Sequence, residues 1–139
     1  MKQNISDPVT RGAHHVGLTV PNLDTTRKFF TNILNFRLVG EIVDYPAAFV
    51  SDGSIMITLW QVTDPASAKP FDFRAVVGLH HLALRIESDE KLEDLYDRLA
   101  ATPGVKIEFS PEALGDGPAR HMICFIPGGI RIEFISTND

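Results

Sequence analysis

Four of the five histidines come as two adjacent pairs, His14-His15 and His80-His81, and the fifth is His121. A carboxylate, Glu133, lies in an alternating apolar run near the other end of the chain. Two imidazoles and one carboxylate make a good divalent-metal set, and three protein ligands leave positions open for water or substrate. Neutral imidazole and carboxylate suit zinc, nickel, cobalt, manganese or iron better than calcium. Taken singly, each residue has a plainer reading. A strand histidine is most often a satisfied, half-buried imidazole, and Glu133 alone could be a solvent-side residue or a partner of Arg131. What changes the odds is their placement relative to one another.

That placement comes from an internal repeat. His14-His15-Val16-Gly17-Leu18-Thr19-Val20 reads against His80-His81-Leu82-Ala83-Leu84-Arg85-Ile86, 66 residues further on. The same offset carries Phe29, Phe30 and Ile33 onto Leu95, Tyr96 and Leu99. These are the apolar positions of a helix in each half, the first capped by Asn22 and the second by Ser88. Three strand-like runs follow each helix: about Arg37–Val43, Ala47–Ser51 and Ser54–Val62, then about Val105–Phe109, Arg120–Ile126 and Ile130–Ile135. The predicted fold is therefore α+β, two pseudo-symmetric βαβββ modules. Module one covers about 13–62, a Pro-containing linker about 63–77 and module two about 78–136, within a single domain spanning 1–139. Half of the chain is too short to bury a stable core alone.

Strand alternation sorts these runs into two faces. Leu18, Val20, Ile57, Leu59, Leu84, Ile132 and Phe134 face the helices; His15, Met56, Thr58, Trp60, His81 and Glu133 face the other way. Aligning the terminal hairpins on Gly53 and Gly129 sets Glu133 against Thr58, with the surplus residues in a loop around Pro111 to Ala119. The pseudo-symmetric quartet is His15, Thr58, His81 and Glu133.

Composition bounds what such a site could serve. The chain has 139 residues, 13 basic against 18 acidic, for a net charge of −5, so neither nucleic acid nor an anionic membrane is an expected partner. Its single cysteine, Cys124, allows no internal disulfide and reads as a buried structural thiol. The first residues are polar, without the apolar stretch of a signal peptide, and no apolar run approaches a bilayer span. A cytoplasmic location is the expectation.

At these motifs the chain resembles the vicinal oxygen chelate superfamily, which includes glyoxalase I, bleomycin-resistance proteins, fosfomycin-resistance transferases, methylmalonyl-CoA epimerases and extradiol dioxygenases. The resemblance runs from about Gly12 to Ser136. Its carriers are His14 to Leu23 with Phe29-Phe30, then His80 to Leu84, then Phe125 to Phe134. It implies a glyoxalase-like fold whose two modules form a metal-binding cleft, one divalent metal held by His15, His81 and Glu133, a small-molecule substrate, and a homodimer, since some members of the family build each site from both chains. Thr58 stands where glyoxalase I and the epimerases carry a fourth ligand, which weighs against ordinary lactoylglutathione lyase activity. Ile123 and Cys124 stand where the dioxygenases usually place a tyrosine, and Gly115-Asp116-Gly117-Pro118 matches the transferases' cation loop only loosely.

The reading of function that follows is a metalloenzyme whose single ion chelates neighbouring substrate oxygens and stabilises an oxyanion, in isomerase or lyase chemistry. Arg120 and His121 are the candidate catalytic pair, against a plain strand role for both. Two rivals stand beside it: an Fe(II) extradiol dioxygenase, and a metal-free protein that sequesters a drug or metabolite. Arg85 and Arg131 are candidates for a substrate carboxylate or for structural ion pairs, and Met56 and Trp60 for a pocket wall or an interface.

Overall fold

The computed structural model describes residues 6–137. Each half begins with a strand and a capped helix. β1 (His15–Val20) leads to α1 (Leu23–Lys28), where the Asn22 side chain accepts a hydrogen bond from the Thr25 N–H. β5 (Leu82–Ile86) leads to α2 (Asp89–Ala100), where Ser88 does the same for Lys91. Acidic residues in the first turns and basic ones in the last complement both helix dipoles. The remaining strands are β2 (Arg37–Ile42), β3 (Ala47–Ser51) and β4 (Met56–Gln61), then β6 (Lys106–Ala113), β7 (Arg120–Phe125) and β8 (Arg131–Ser136).

Two four-stranded sheets result, ordered β1-β4-β3-β2 and β5-β8-β7-β6. In each, the first strand of the module pairs in parallel with its last, and the other pairs are antiparallel. The repeat read from the sequence is a repeat of register. Gly17 sits opposite Thr58 in β1–β4, and Ala83 sits opposite Glu133 in β5–β8. The helix-facing side of both sheets is apolar: Ile57, Leu59, Ile132 and Phe134 are buried in one core shared with Phe30, Leu92 and Leu99 of the helices. Burying each such side chain contributes about 1.5–3 kcal/mol. The modules meet beside this core, where Thr26 Oγ1 donates to the Pro127 carbonyl (3.4 Å) and Arg98 donates to that of Ile33 (2.9 Å).

Two local features differ from the sequence expectation. The first helix continues as a π-helical turn over Phe29–Ile33, with the Leu34 N–H reaching the Phe29 carbonyl. This wider turn buries both Phe29 and Phe30, and Phe30 meets Phe36 edge to face at 5.2 Å. β6 runs to Ala113, past the Phe109 expected as its end, and only 114–119 remain as the hairpin tip. Register irregularities between Ile107 and Phe109, and between Phe109 and Glu112, absorb the surplus residues inside the strand.

Candidate functional site

The second sheet gathers a carboxylate between two imidazoles. Glu133, central in β8, has β5 on one side and β7 on the other. Its Oε2 accepts from His121 Nδ1 at 2.5 Å, and its Oε1 lies 3.4 Å from His81 Nε2. Ile123 is the antiparallel partner of Glu133, so His121 is its diagonal neighbour on the same face. The His121 side chain is 12% exposed, with the Phe109 ring edge-on at 4.9 Å. Its other nitrogen, Nε2, lies 3.9 Å from Glu112 on the irregular part of β6.

Beside this cluster Arg131 is buried in a polar cage. Glu108 takes both its Nε (3.0 Å) and Nη2 (2.8 Å), and Phe73 of the linker lies 4.2 Å beneath the guanidinium. The paired guanidinium holds the Glu108 carboxyl below its ordinary range. Arg131 thus forms a structural ion pair, and with Glu108 rather than Glu133.

The first sheet places different chemistry on the matching positions. His15 is exposed at the start of β1, with its Nδ1 2.9 Å from that of His14. Thr58, at the register position equivalent to Glu133, is 4% exposed, and its Oγ1 accepts from Trp60 Nε1 at 2.9 Å. Gly17 makes room for this contact. A Cβ there would lie 3.1 Å from Thr58 Oγ1 and 3.5 Å from Trp60 Nε1. Trp60 in turn meets Tyr45 at 5.2 Å and Phe49 at 5.9 Å.

Of the residues singled out from sequence, His81, Glu133 and His121 come together, while His15 lies on the other sheet. Among the described residues, no group of three or more histidine, cysteine, aspartate or glutamate side chains is arranged to hold a metal ion. Arg120 lies on the alternate side of β7 from His121. Its guanidinium donates to the Pro111 carbonyl (3.1 Å) and lies 3.7 Å from Glu93 on α2. Burial pushes the Cys124 thiol up to about 12, which suits a structural residue and no nucleophile. A cleft of about 720 Å³ runs between β1 and the linker, lined by Gly17, Pro21, Phe71, Val77 and Ile130, among others. None of the clustered histidines, nor Glu133, lines it.

Glu108, Glu112 and Phe73 were not legible as neighbours of the site. The first two reach it through a strand whose irregular register breaks the alternation that placed the others. Phe73 comes from the linker, where no periodicity operates.

The chain is similar to one curated protein in sequence and to solved structures in fold. A 2-epi-5-epi-valiolone epimerase from Actinomyces sp. is 27% identical, over 93% of this chain and 81% of that protein. The crystal structure of a glyoxylase/bleomycin resistance protein/dioxygenase domain from Frankia sp. superposes with a TM-score of 0.78 at 27% identity, covering 92% of this chain and 98% of that one. A lactoylglutathione lyase from Agrobacterium tumefaciens shares the fold with a TM-score of 0.70 at 15% identity, over 94% and 97% of the two chains. Residues 12–134 match a family by sequence as well, and the chain belongs to the Glyoxalase/Bleomycin resistance protein/Dioxygenase superfamily.

Proposed function

We propose that the chain is a metal-dependent isomerase or lyase of glyoxalase-like chemistry, acting on a small substrate with two neighbouring oxygens, and that its reaction is an epimerisation. An epimerisation removes a proton from one face of a carbon next to a carbonyl, and the resulting enolate takes a proton from solvent on the opposite face. The protein must hold the substrate oxygens and take the first proton at a fixed atom. His15, His81 and Glu133 would hold one divalent ion, and their nitrogen and oxygen donors fit zinc, nickel, cobalt, manganese or iron. When bound, the ion supplies Lewis-acid stabilisation of the charge that develops on the substrate oxygens.

The observation that carries this reading is the Glu133 carboxylate, engaged by His121 on one oxygen and facing His81 with the other. The Glu133 bond at Nδ1 orients the His121 ring, leaving Nε2 as the atom that exchanges a proton with substrate. Arg120, turned toward α2, has no part in that transfer. Thr58 offers no carboxylate and already accepts from Trp60, so proton transfer falls to module two rather than to module one. His15 is supplied by a second copy of the chain. Exposed Val39, Val43, Tyr45 and Val77 provide apolar surface for such a partner to cover. The named activity of the Actinomyces relative supports epimerisation over the other chemistries of the superfamily.

The test is proton exchange. Untagged protein purified without oxygen is assayed for metal and incubated in D2O with cyclic and linear hydroxyketones. Deuterium should enter at the carbon beside the carbonyl. His121→Gln should keep the metal and slow that exchange by about 10²–10⁴-fold. Iron with oxygen uptake on catechols would make the chain a dioxygenase instead. Tight ligand binding without metal would make it a sequestering protein.

A further inference from the structure

Six side chains form one continuous line across the face of the second sheet that points away from the helices. Glu108 grips Arg131 by Nε and Nη2, which leaves Nη1 directed at His80 Nδ1, 3.3 Å away. His80 Nδ1 lies 2.8 Å from His81 Nδ1. His81 Nε2 then faces Glu133, whose other oxygen takes His121. The ends of this line decide where the protons in its middle must sit.

A guanidinium only donates, so the His80 Nδ1 it approaches must be the acceptor. Two ring nitrogens 2.8 Å apart share one proton, and with His80 Nδ1 bare that proton belongs to His81 Nδ1. The His81 Nε2 is then the bare nitrogen of its ring. We infer that Arg131, acting through His80, is a positioning residue that fixes His81 as the Nδ1–H tautomer and aims the Nε2 lone pair at Glu133. The inference rests on the reading of His81 and Glu133 as ligands. A ligating imidazole normally has its second nitrogen committed to an outer partner, and here that partner is another imidazole, itself set by an arginine. Two acceptor atoms 3.4 Å apart, Nε2 and Oε1, are the pair a divalent cation needs.

The first sheet provides an internal control. His14 and His15 repeat the close Nδ1 contact at 2.9 Å, but the residue opposite His15 is Met56. Arg131 holds the corresponding place in the second sheet, one step beyond the Leu82–Ile132 pair. A thioether cannot donate, so nothing on Met56 orders the His14-His15 proton. Among the described residues, the arginine that orders the pair is present in module two and has no counterpart in module one.

The experiment reads the tautomer directly and separately from metal binding. Metal-free, full-length protein labelled with 15N-histidine is studied near pH 8.5, where ordinary imidazoles are neutral. His81 should show a protonated Nδ1 and a bare Nε2. His80→Phe keeps a ring against Phe73 but removes the acceptor. It should let His81 populate both tautomers and weaken Co2+ binding by about 10–100-fold. His80→Asn, whose side-chain oxygen can accept from His81, should restore both. Near-UV circular dichroism checks that each variant is folded. A wild-type His81 protonated at Nε2, or a His80→Phe chain unchanged in tautomer and Co2+ affinity, would overturn the inference. The predicted tautomer in a wild-type chain that binds no Co2+ would support the relay while removing the ligand reading.

Discussion

Where β1 crosses β4, the backbone pairs Gly17 with Thr58; where β5 crosses β8, it pairs Ala83 with Glu133. The two crossings have the same strand directions and the same register, yet their side chains do opposite things. In module one the absent Cβ of Gly17 lets Trp60 lie close and tie its N–H to Thr58, so the position is filled by a neutral, satisfied pair. In module two Ala83 leaves Glu133 flanked by His81 and His121, and Arg131 and Glu108 add a second layer of charge. The fold supplies two equivalent places, and a few substitutions close one and equip the other.

The comparison breaks most visibly at the two residues themselves. Glu133→Ala should abolish metal binding and lower activity by at least about 100-fold, because it removes both a proposed ligand and the group bonded to His121. Thr58→Ala should leave metal content unchanged, and losing the partner of the Trp60 N–H should cost only about 1 kcal/mol in thermal or urea unfolding. Equal metal loss in both variants would erase the distinction between the modules.

The charge layer gives an intermediate effect with a defined pH dependence. Glu108 titrates below its ordinary value of 4.5 in the folded protein because of Arg131. A depressed carboxylate stabilises the fold above its unfolded value, and that stability is lost as pH falls through the folded value. Glu108→Gln should therefore cost about 2 kcal/mol at pH 7 by leaving the Arg131 charge unpaired. The gap between wild type and variant should close progressively below about pH 4.5. Urea unfolding at several pH values measures it, and a gap that widened toward acid would contradict the assignment.

A smaller and more local effect sharpens the account of module one. Gly17→Ala inserts a Cβ against Thr58 and Trp60, which should displace the indole and cost about 1 kcal/mol. Trp60 is the chain's one tryptophan, so its fluorescence reports the displacement without interference. An unshifted spectrum would mean that Gly17 has no packing role.

Much of this was legible before any coordinates. The strand period placed His15, His81 and Glu133 on the side away from the helices, and the glycines at 53 and 129 anchored the alignment that set Thr58 against Glu133. Those inferences worked because β4 and β8 pair in regular register and the helix-facing residues at their centres, Ile57 and Leu59, then Ile132 and Phe134, are apolar and buried. His121 was legible as a candidate, but its bond to Glu133 was not, since parity along one strand says nothing of diagonal contacts. Glu108 and Glu112 were hidden for a different reason: each irregularity in β6 shifts which side chain faces which way. The π-helical turn was equally unmarked, because adjacent Phe29 and Phe30 suit a broad helical face as well as a widened turn.

On the proposed reading, His15 of a second copy completes the face of module two. Co-expression of His15→Ala and Glu133→Ala chains, carrying different tags and purified as the mixed dimer, tests it most directly. Neither variant alone should hold metal. The mixed dimer should contain one intact site, formed by His15 of the Glu133→Ala chain with His81 and Glu133 of the other. It should then recover about half the wild-type metal content and activity. A mixed dimer as empty as either parent would mean that one chain supplies every ligand, or that these three residues are not the ligands.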